Sequence, residues 1–513
     1  MVGGAVRLGE TRPSCYNRLR FDPVRPADDP INFHVTRSQP NGMEEGAGMA
    51  IPARLVMVED DAVAGLDPLT LTRPAFELRL GMTTLRDKAA RAAGLQQAPH
   101  AALIRSHLAA YWRERDPCLA INTLATEGRL HDQPALVVNA RFIPGETFDL
   151  VHTIAQANRP VLGFCDDLPA FALVGPDQLR GLDEVHAVGA WFERLATQPG
   201  VETVATDGEW IRYPWDLVAR NARHLERDFQ NLTRKTNGQG PRFDLDEFLA
   251  GGQRALVGPA DRLWIDPTAR IDPFTVLDTT GGPIVIEAGA LLQPFTRVEG
   301  PCYIGARTQL FRANLRGGVS LGPECRIGGE VEESLVLGYS NKYHEGFLGH
   351  AYIGEWVNLG AITSNSDLRN DYGPVVVPLG GDPVPSGMLK VGCFVGDHTR
   401  TGLGSMINTG TVVGVMCNLL PAGTLLPKHV PSFTAVLYGK VAPGFDLDHL
   451  FATARTVKGR RGLSFTAAEE EFYLTLFERT RFERERAFTR SAAKRWAHPA
   501  SLPSVSASQQ QHG

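Results

Sequence analysis

Residues 286–310 read Ile286-Glu287-Ala288-Gly289-Ala290-Leu291-Leu292-Gln293-Pro294-Phe295-Thr296-Arg297-Val298-Glu299-Gly300-Pro301-Cys302-Tyr303-Ile304-Gly305-Ala306-Arg307-Thr308-Gln309-Leu310. The aliphatic residues Ile286, Leu292, Val298, Ile304 and Leu310 recur six positions apart. The same spacing links Ile265, Ile271 and Leu277 upstream, then Leu321 and Ile327, Ile353 and Leu359. It also links Val395, Thr401, Ile407, Val413, Leu419 and Leu425. A short fixed period denotes a solenoid, and a six-residue period denotes a β-helix in which each unit is one short strand and one corner. The aliphatic residue points inward and stacks on its counterpart in the next coil. Gly follows it at 305, 322, 328, 354, 360, 396 and 414, and is expected to serve corners of positive φ. The period breaks slightly at 279–283. It breaks at length over Thr363–Lys390, an excursion of the kind that more often carries function than not.

Upstream the pattern differs. Leu55-Val56-Met57-Val58 ahead of Glu59-Asp60-Asp61 reads as a buried strand with a polar end. Ala135–Asn139 predicts a second strand, and Pro160–Phe164 and Ala170–Val174 two more. Thr83–Ala93 and Trp215–Phe229 predict helices. Alternation of this kind predicts an α/β domain with a largely parallel sheet, with ligands at the strands' C-terminal ends. The expected organisation is a disordered leader (1–48), the α/β domain (49–245), a linker (246–262), the β-helix (263–440), a helical cap (441–497) and a disordered tail (498–513). Met49 is an alternative start, and a targeting peptide is the other reading of the leader. Phe472, Leu474, Leu476 and Phe477 are expected to cover an open end of the solenoid, with a partner-binding helix as the alternative.

Composition bounds the function. The 513 residues carry 52 Lys+Arg against 57 Asp+Glu, a formal charge of −5, so nothing favours a general nucleic-acid or membrane-surface binder. No stretch approaches the roughly 18 apolar residues of a membrane span. Cys15, Cys118, Cys165, Cys302, Cys325, Cys393 and Cys417 form no CxxC pair, which suits reduced thiols in a cytoplasmic protein and argues against structural zinc.

The chain resembles the GlmU-like family of bifunctional sugar-nucleotide enzymes over about residues 52–430, as a divergent bacterial branch. The resemblance rests on the α/β-plus-hexapeptide order, and on Leu69-Thr70-Leu71-Thr72-Arg73-Pro74 with Glu77-Leu78-Arg79-Leu80-Gly81. It rests further on Tyr213-Pro214-Trp215-Asp216, on Gly396-Asp397-His398-Thr399 and on Asn408-Thr409-Gly410-Thr411. It implies a Rossmann-like nucleotidyltransferase domain joined to a left-handed parallel β-helix acyltransferase, assembled as a homotrimer. The implied reactions are acetyl transfer from acetyl-CoA to glucosamine-1-phosphate and uridylyl transfer from UTP to the acetylated sugar-1-phosphate, with Mg²⁺, giving UDP-N-acetylglucosamine.

Amine acetylation needs a base near neutrality, and His344 in Tyr343-His344-Glu345-Gly346 stands where the family places it. Arg316 matches a phosphate-binding Arg, and Asn358 and Ala361 match residues beside the sugar and acetyl-CoA. The resemblance extends the acetyl-CoA site to Asp397. The family's lysine between Arg and His is missing, with Val331-Glu332-Glu333-Ser334 in its place, so Lys342 is its substitute candidate. Phe347 stands where the family has a tyrosine. His350 reads as structural or a rim residue, and the role of His398 is open. For Asn358 the alternative is a stacked corner asparagine.

The α/β half departs further from the family. Its Gly-rich loop is absent, and Asn139 replaces its metal-binding Asp. Arg73, Arg79 and Lys88 are the candidate phosphate ligands, with salt-bridged residues near an acidic strand end as the alternative. Asp216 and Asn221 are the candidate Mg²⁺ ligands, and a helix N-terminal cap is the alternative for Asp216. Two other readings stand beside the bifunctional one. One is another sugar-1-phosphate nucleotidyltransferase, such as a glucose-1-phosphate thymidylyltransferase, whose β-helix assembles or acylates differently. The other is a non-catalytic sugar-nucleotide-binding scaffold.

Overall fold

The computed structural model describes residues 54–496 apart from 124–133, 146–148, 152, 154–156, 158, 180, 183 and 236–244. The expected leader 1–48 and tail 498–513 lie outside the described residues.

The α/β domain is a seven-stranded sheet in the order Glu202–Ala205, Val161–Cys165, Leu168–Val174, Ala135–Asn139, Arg54–Val58, His100–Leu103, Leu119–Ile121. Only Leu168–Val174 runs antiparallel to its neighbours. Arg54–Val58 is buried at all five positions, and its apolar part Leu55–Val58 lies between two parallel partners, as such a run requires. The helix Leu85–Ala92 starts in a capping box, where Thr84 and Asp87 satisfy each other's backbone amides. Pro214–Lys235, with Pro in its first turn, is the helix that leaves the domain.

The six-residue period is realised as parallel ladders. Ile265, Ile286, Ile304, Leu321, Val336, Ile353, Val395, Val413 and Val430 pair in register from coil to coil. A second row runs Leu277, Val298, Leu315, Val331, Leu348. All of these are buried. The ladder begins at Arg254–Val257, which pairs with Thr275–Asp278, so the stretch expected as linker already holds the first strand. The excursion at 363–390 contains a hairpin, Val376–Leu379 with Asp382–Pro385.

The glycine expectation needs correction. Gly305, Gly322, Gly354, Gly396 and Gly414 are not at positive φ; Trp356, His398 and Met416 take such corners instead. A Cβ at Gly414 would meet Ser432 N at 2.3 Å, and one at Gly322 would meet Gly338 N at 2.5 Å. These glycines are required by the close approach of successive coils.

The terminal helices also differ from expectation. Leu447–Gly459 and Ala467–Arg479 lie along the flank of the β-helix, against the α/β domain, and do not simply cover an end. Phe472 stacks on Tyr111 at 5.0 Å, and its neighbour Tyr473 meets His398 at 5.6 Å. Phe472 and Leu476 are buried, whereas Leu474 is exposed. One apolar core therefore includes Leu69 and Trp215 of the first domain, Tyr352 and Phe394 of the second, and Phe472 of the helices.

Candidate functional site

His344 stands on an exposed corner between Asn341–Lys342 and Phe347–Gly349, with its ring 4.8 Å from Tyr343. Gly346 permits this corner: its φ is 129°, and a Cβ there would lie 2.1 Å from the Thr363 carbonyl. Beneath it, Lys342 pairs in register with Ile327, so the lysine enters a ladder position otherwise aliphatic. Its Nζ donates to the carbonyls of Gly328 (2.7 Å) and His344 (3.1 Å). Burial pushes the ammonium down to about 8, against the attraction of Glu345 and Glu330. Lys342 is a support for the histidine loop, with two of its three donors engaged on backbone carbonyls.

Asn358 sits one coil on from Asn341, and the two amides meet at 3.4 Å. Ile362 N donates to the Glu345 carbonyl, which places Ala361 on the coil following His344. His344, Lys342, Asn358 and Ala361 thus occupy adjoining coils. Arg316 belongs to another row, with Glu332 and Gly349. It is exposed and paired with Glu332 (3.1 Å) and Glu330 (3.3 Å), which raise its guanidinium. Its charge is answered within the protein, contrary to the expectation of a free phosphate ligand.

Asp397 is also engaged elsewhere. Its carboxylate accepts from Arg73, from Thr72 Oγ1 at 2.8 Å and from Glu355 N at 2.8 Å. Burial raises its carboxyl despite the charge of Arg73. Glu355 completes the cluster by pairing with Arg115 (2.6 Å) and Arg73 (3.8 Å). Burial opposes its ionisation, but the two guanidiniums hold it down at about 2. Arg73 and Asp397 are therefore a buried clamp between the domains, and neither is open to phosphate or acetyl-CoA.

The other α/β candidates behave alike. The Arg79 amide donates to Tyr352 Oη at 3.0 Å, Oη donates back to the Arg79 carbonyl, and the guanidinium lies over Tyr303. Lys88 is buried on Asp228 at 2.7 Å, and burial lowers its ammonium despite that partner. Asn221 accepts from Gly81 N and Ser320 Oγ and donates to Gly318 O, pinning the two domains together. Asp216 accepts from the amides of Arg212 and Tyr213, the capping alternative. Five residues apart on one helix, Asp216 and Asn221 point about 140° apart. They do not fit a shared Mg²⁺ site, and no three His, Cys, Asp or Glu among the described residues could hold a metal. The sequence segments that carry the family resemblance in this half are thus largely the joint between domains.

At the C-terminal end of Arg54–Val58, Asp60 receives a paired contact from Arg141 (2.9 and 2.7 Å) and one from Asn139 (2.8 Å). Burial opposes its ionisation, but Arg141 holds it below the usual carboxylate range. Glu59 likewise binds Arg105. The strand end where a nucleotide would sit is polar and internally neutralised.

Sequence reading missed a cleft of about 500 Å³ beside Tyr343, lined by Arg326, Asn358, Arg400, Arg461 and the ring of Trp356. Its signals were the Arg460-Arg461 doublet and the alignment of positions 341, 358 and 400, which only the coil register brings into one row.

Residues 55–237 match the sugar nucleotidyl transferase family. The chain is 35% identical over 96 residues to a bifunctional sugar-1-phosphate nucleotidylyltransferase/acetyltransferase of Sulfurisphaera tokodaii, covering 19% of this chain and 24% of that protein. It is 36% identical over 145 residues to the bifunctional protein GlmU of Methylibium petroleiphilum (27% and 29% covered). It is 34% identical over 196 residues to that of Acidovorax sp. (strain JS42) (34% and 40% covered). It therefore spans between 24% and 40% of the length of these relatives. A Francisella novicida UDP-N-acetylglucosamine acyltransferase structure aligns with 46% of this chain and 88% of its own, at 13% identity and a TM-score of 0.25. The α/β domain of this chain thus matches the sugar nucleotidyl transferase family, a parallel β-helix follows it, and over part of their length the chain is similar to GlmU-like bifunctional proteins.

Proposed function

We propose that the chain is a transferase of sugar-nucleotide synthesis whose β-helix acetylates the amine of an amino-sugar 1-phosphate from acetyl-CoA. The observation that carries this reading is the His344 corner, an exposed imidazole whose backbone is tied from below by Lys342, with Asn358 and Ala361 on the next coil. His344 takes a proton from the amine as its lone pair attacks the thioester carbonyl. Collapse of the tetrahedral adduct breaks the C–S bond, and the departing thiolate is protonated. Asn358 orients the sugar. The name of one relative supports nucleotidyl transfer to a sugar-1-phosphate as the second half of the reading, and the proposal extends this to uridylyl transfer from UTP to the acetylated sugar-1-phosphate in a homotrimeric cytoplasmic assembly.

A second reading keeps acetyl transfer but gives the α/β domain an altered or binding-only role. It is favoured by the pairing of Arg73, Lys88 and Arg141 with carboxylates. The test follows free thiol and pyrophosphate separately, with glucosamine-1-phosphate and acetyl-CoA, then with N-acetylglucosamine-1-phosphate, UTP and Mg²⁺. Release of both supports two activities. Thiol alone supports the second reading. His344→Ala is expected to abolish thiol release and leave any pyrophosphate release intact; unchanged thiol release would overturn the assignment.

A further inference from the structure

Arg400 stands out for what it lacks. It follows Asn341 and Asn358 in one row of the parallel ladder, and its Nη2 is buried without a hydrogen-bond partner among the described residues. No carboxylate among them forms an ion pair with it, and burial alone lowers its guanidinium. Arg400 as a whole is half-buried, and a donor atom shielded from water without an acceptor is costly unless a ligand answers it.

The surroundings add to the positive charge. The cleft of about 500 Å³ above this row is closed by Arg460 and Arg461, just beyond the helix Leu447–Gly459, and by Arg326. Glu324, one carboxylate beside the cleft, is divided among Arg307, Arg326 and Arg461. One wall is the flat pair Tyr339 and Trp356, stacked at 4.2 Å and 6°. Arg400 also lines a smaller cavity of about 140 Å³ behind the cleft, with His398. His398 is buried, both its ring nitrogens are unpartnered, and it lies parallel to Trp356.

We propose that this cleft binds a nucleoside diphosphate group, with the phosphates on Arg400, Arg460 and Arg461 and the base among the cleft's aromatic lining. Planar guanidiniums suit phosphate oxygens, and an aromatic face suits a base. The group comes either from the adenosine diphosphate portion of coenzyme A or from a sugar nucleotide. Tyr343 lines the cleft and touches His344, so the first source would deliver an acyl donor to the corner and the second would place a product or regulator beside it. In the first case the inference rests on the acetyl-transfer reading.

The test is titration calorimetry on the full chain with coenzyme A, ADP, UDP-N-acetylglucosamine and inorganic pyrophosphate, for wild type, Arg400→Met and Arg460→Ser. Arg460 is exposed, so its variant folds whatever happens at Arg400. The expected result is a dissociation constant raised at least tenfold by Arg400→Met and severalfold by Arg460→Ser. Loss confined to coenzyme A and ADP identifies the first source; loss confined to the sugar nucleotide identifies the second. Binding that both variants leave unchanged overturns the proposal, as does no binding to wild type or pyrophosphate binding as tight as the nucleotides. Thiol release by wild type separates the two ideas: release with unaltered binding in the variants sinks the cleft alone, and variant-sensitive binding without release sinks acetyl transfer alone.

Discussion

Lys342 Nζ donates to the backbone carbonyl of His344 at 3.1 Å from inside the β-helix, at a ladder position that the preceding coil fills with Ile327. A long cation thus takes the place of an aliphatic residue and uses its charge to hold the corner that presents the imidazole. Lys342→Met keeps the length and fills the ladder but removes the tie. Thiol release is expected to fall by roughly tenfold to a hundredfold in kcat through misplacement of His344, with KM little changed. The melting temperature should hold or rise, because a desolvated charge is gone. A kcat equal to wild type would show that the tie does not position the base.

The same burial makes stability pH-dependent. The Lys342 ammonium titrates near 8 in the fold, below the ordinary lysine value of about 10.4. Between these values the unfolded chain binds more protons, so unfolding becomes less favourable as pH rises through the window. The destabilisation is full below pH 8 and is relieved above it, by up to about 3 kcal/mol. Denaturant titrations from pH 7 to 10 should show wild type gaining stability relative to Lys342→Met; parallel curves would refute the assignment.

The clamp of Arg73 on Asp397 and Glu355 predicts a stability effect. Arg73→Met leaves two buried carboxylates without that partner and is expected to cost about 3–5 kcal/mol. Calorimetry should show a lower transition, or its separation into two as the domains uncouple. Selective loss of pyrophosphate release in a protein of unchanged stability would instead return Arg73 to a phosphate-binding role.

Arg316 makes the opposite case. Exposed and paired with two glutamates, it should tolerate Arg316→Met within about 0.5 kcal/mol. The KM for the amino-sugar phosphate should change less than twofold. A tenfold rise in KM would mean that substrate displaces Glu330 and Glu332.

The architecture was legible because the β-helix repeats locally. Each coil buries its aliphatic residue on the one before, so burial is written along the chain at a spacing of six, and Ile286, Ile304 and Val395 announce the ladder without any distant partner. The run Leu55–Val58 and the Pro214 helix were legible for the same reason. His344, Asn358 and Ala361 were named through the family resemblance of their flanking residues, and the coil register then places them on adjoining coils. Charge was different. Whether Arg73, Lys88 or Arg316 is free depends on which carboxylate the fold brings to it, and for Arg73 that partner lies 324 positions away. No periodicity records such a pairing. Nor does one record the cleft, which needs Arg400 from one coil and Arg461 from beyond a later helix. The sequence by itself determined the two architectures, because these follow from local repetition and short-range patterns, and the family resemblance pointed to His344. Only the tertiary structure decided which cations bind the domains to each other and that Arg400 forms no ion pair among the described residues, because electrostatic pairing is set by distance in space.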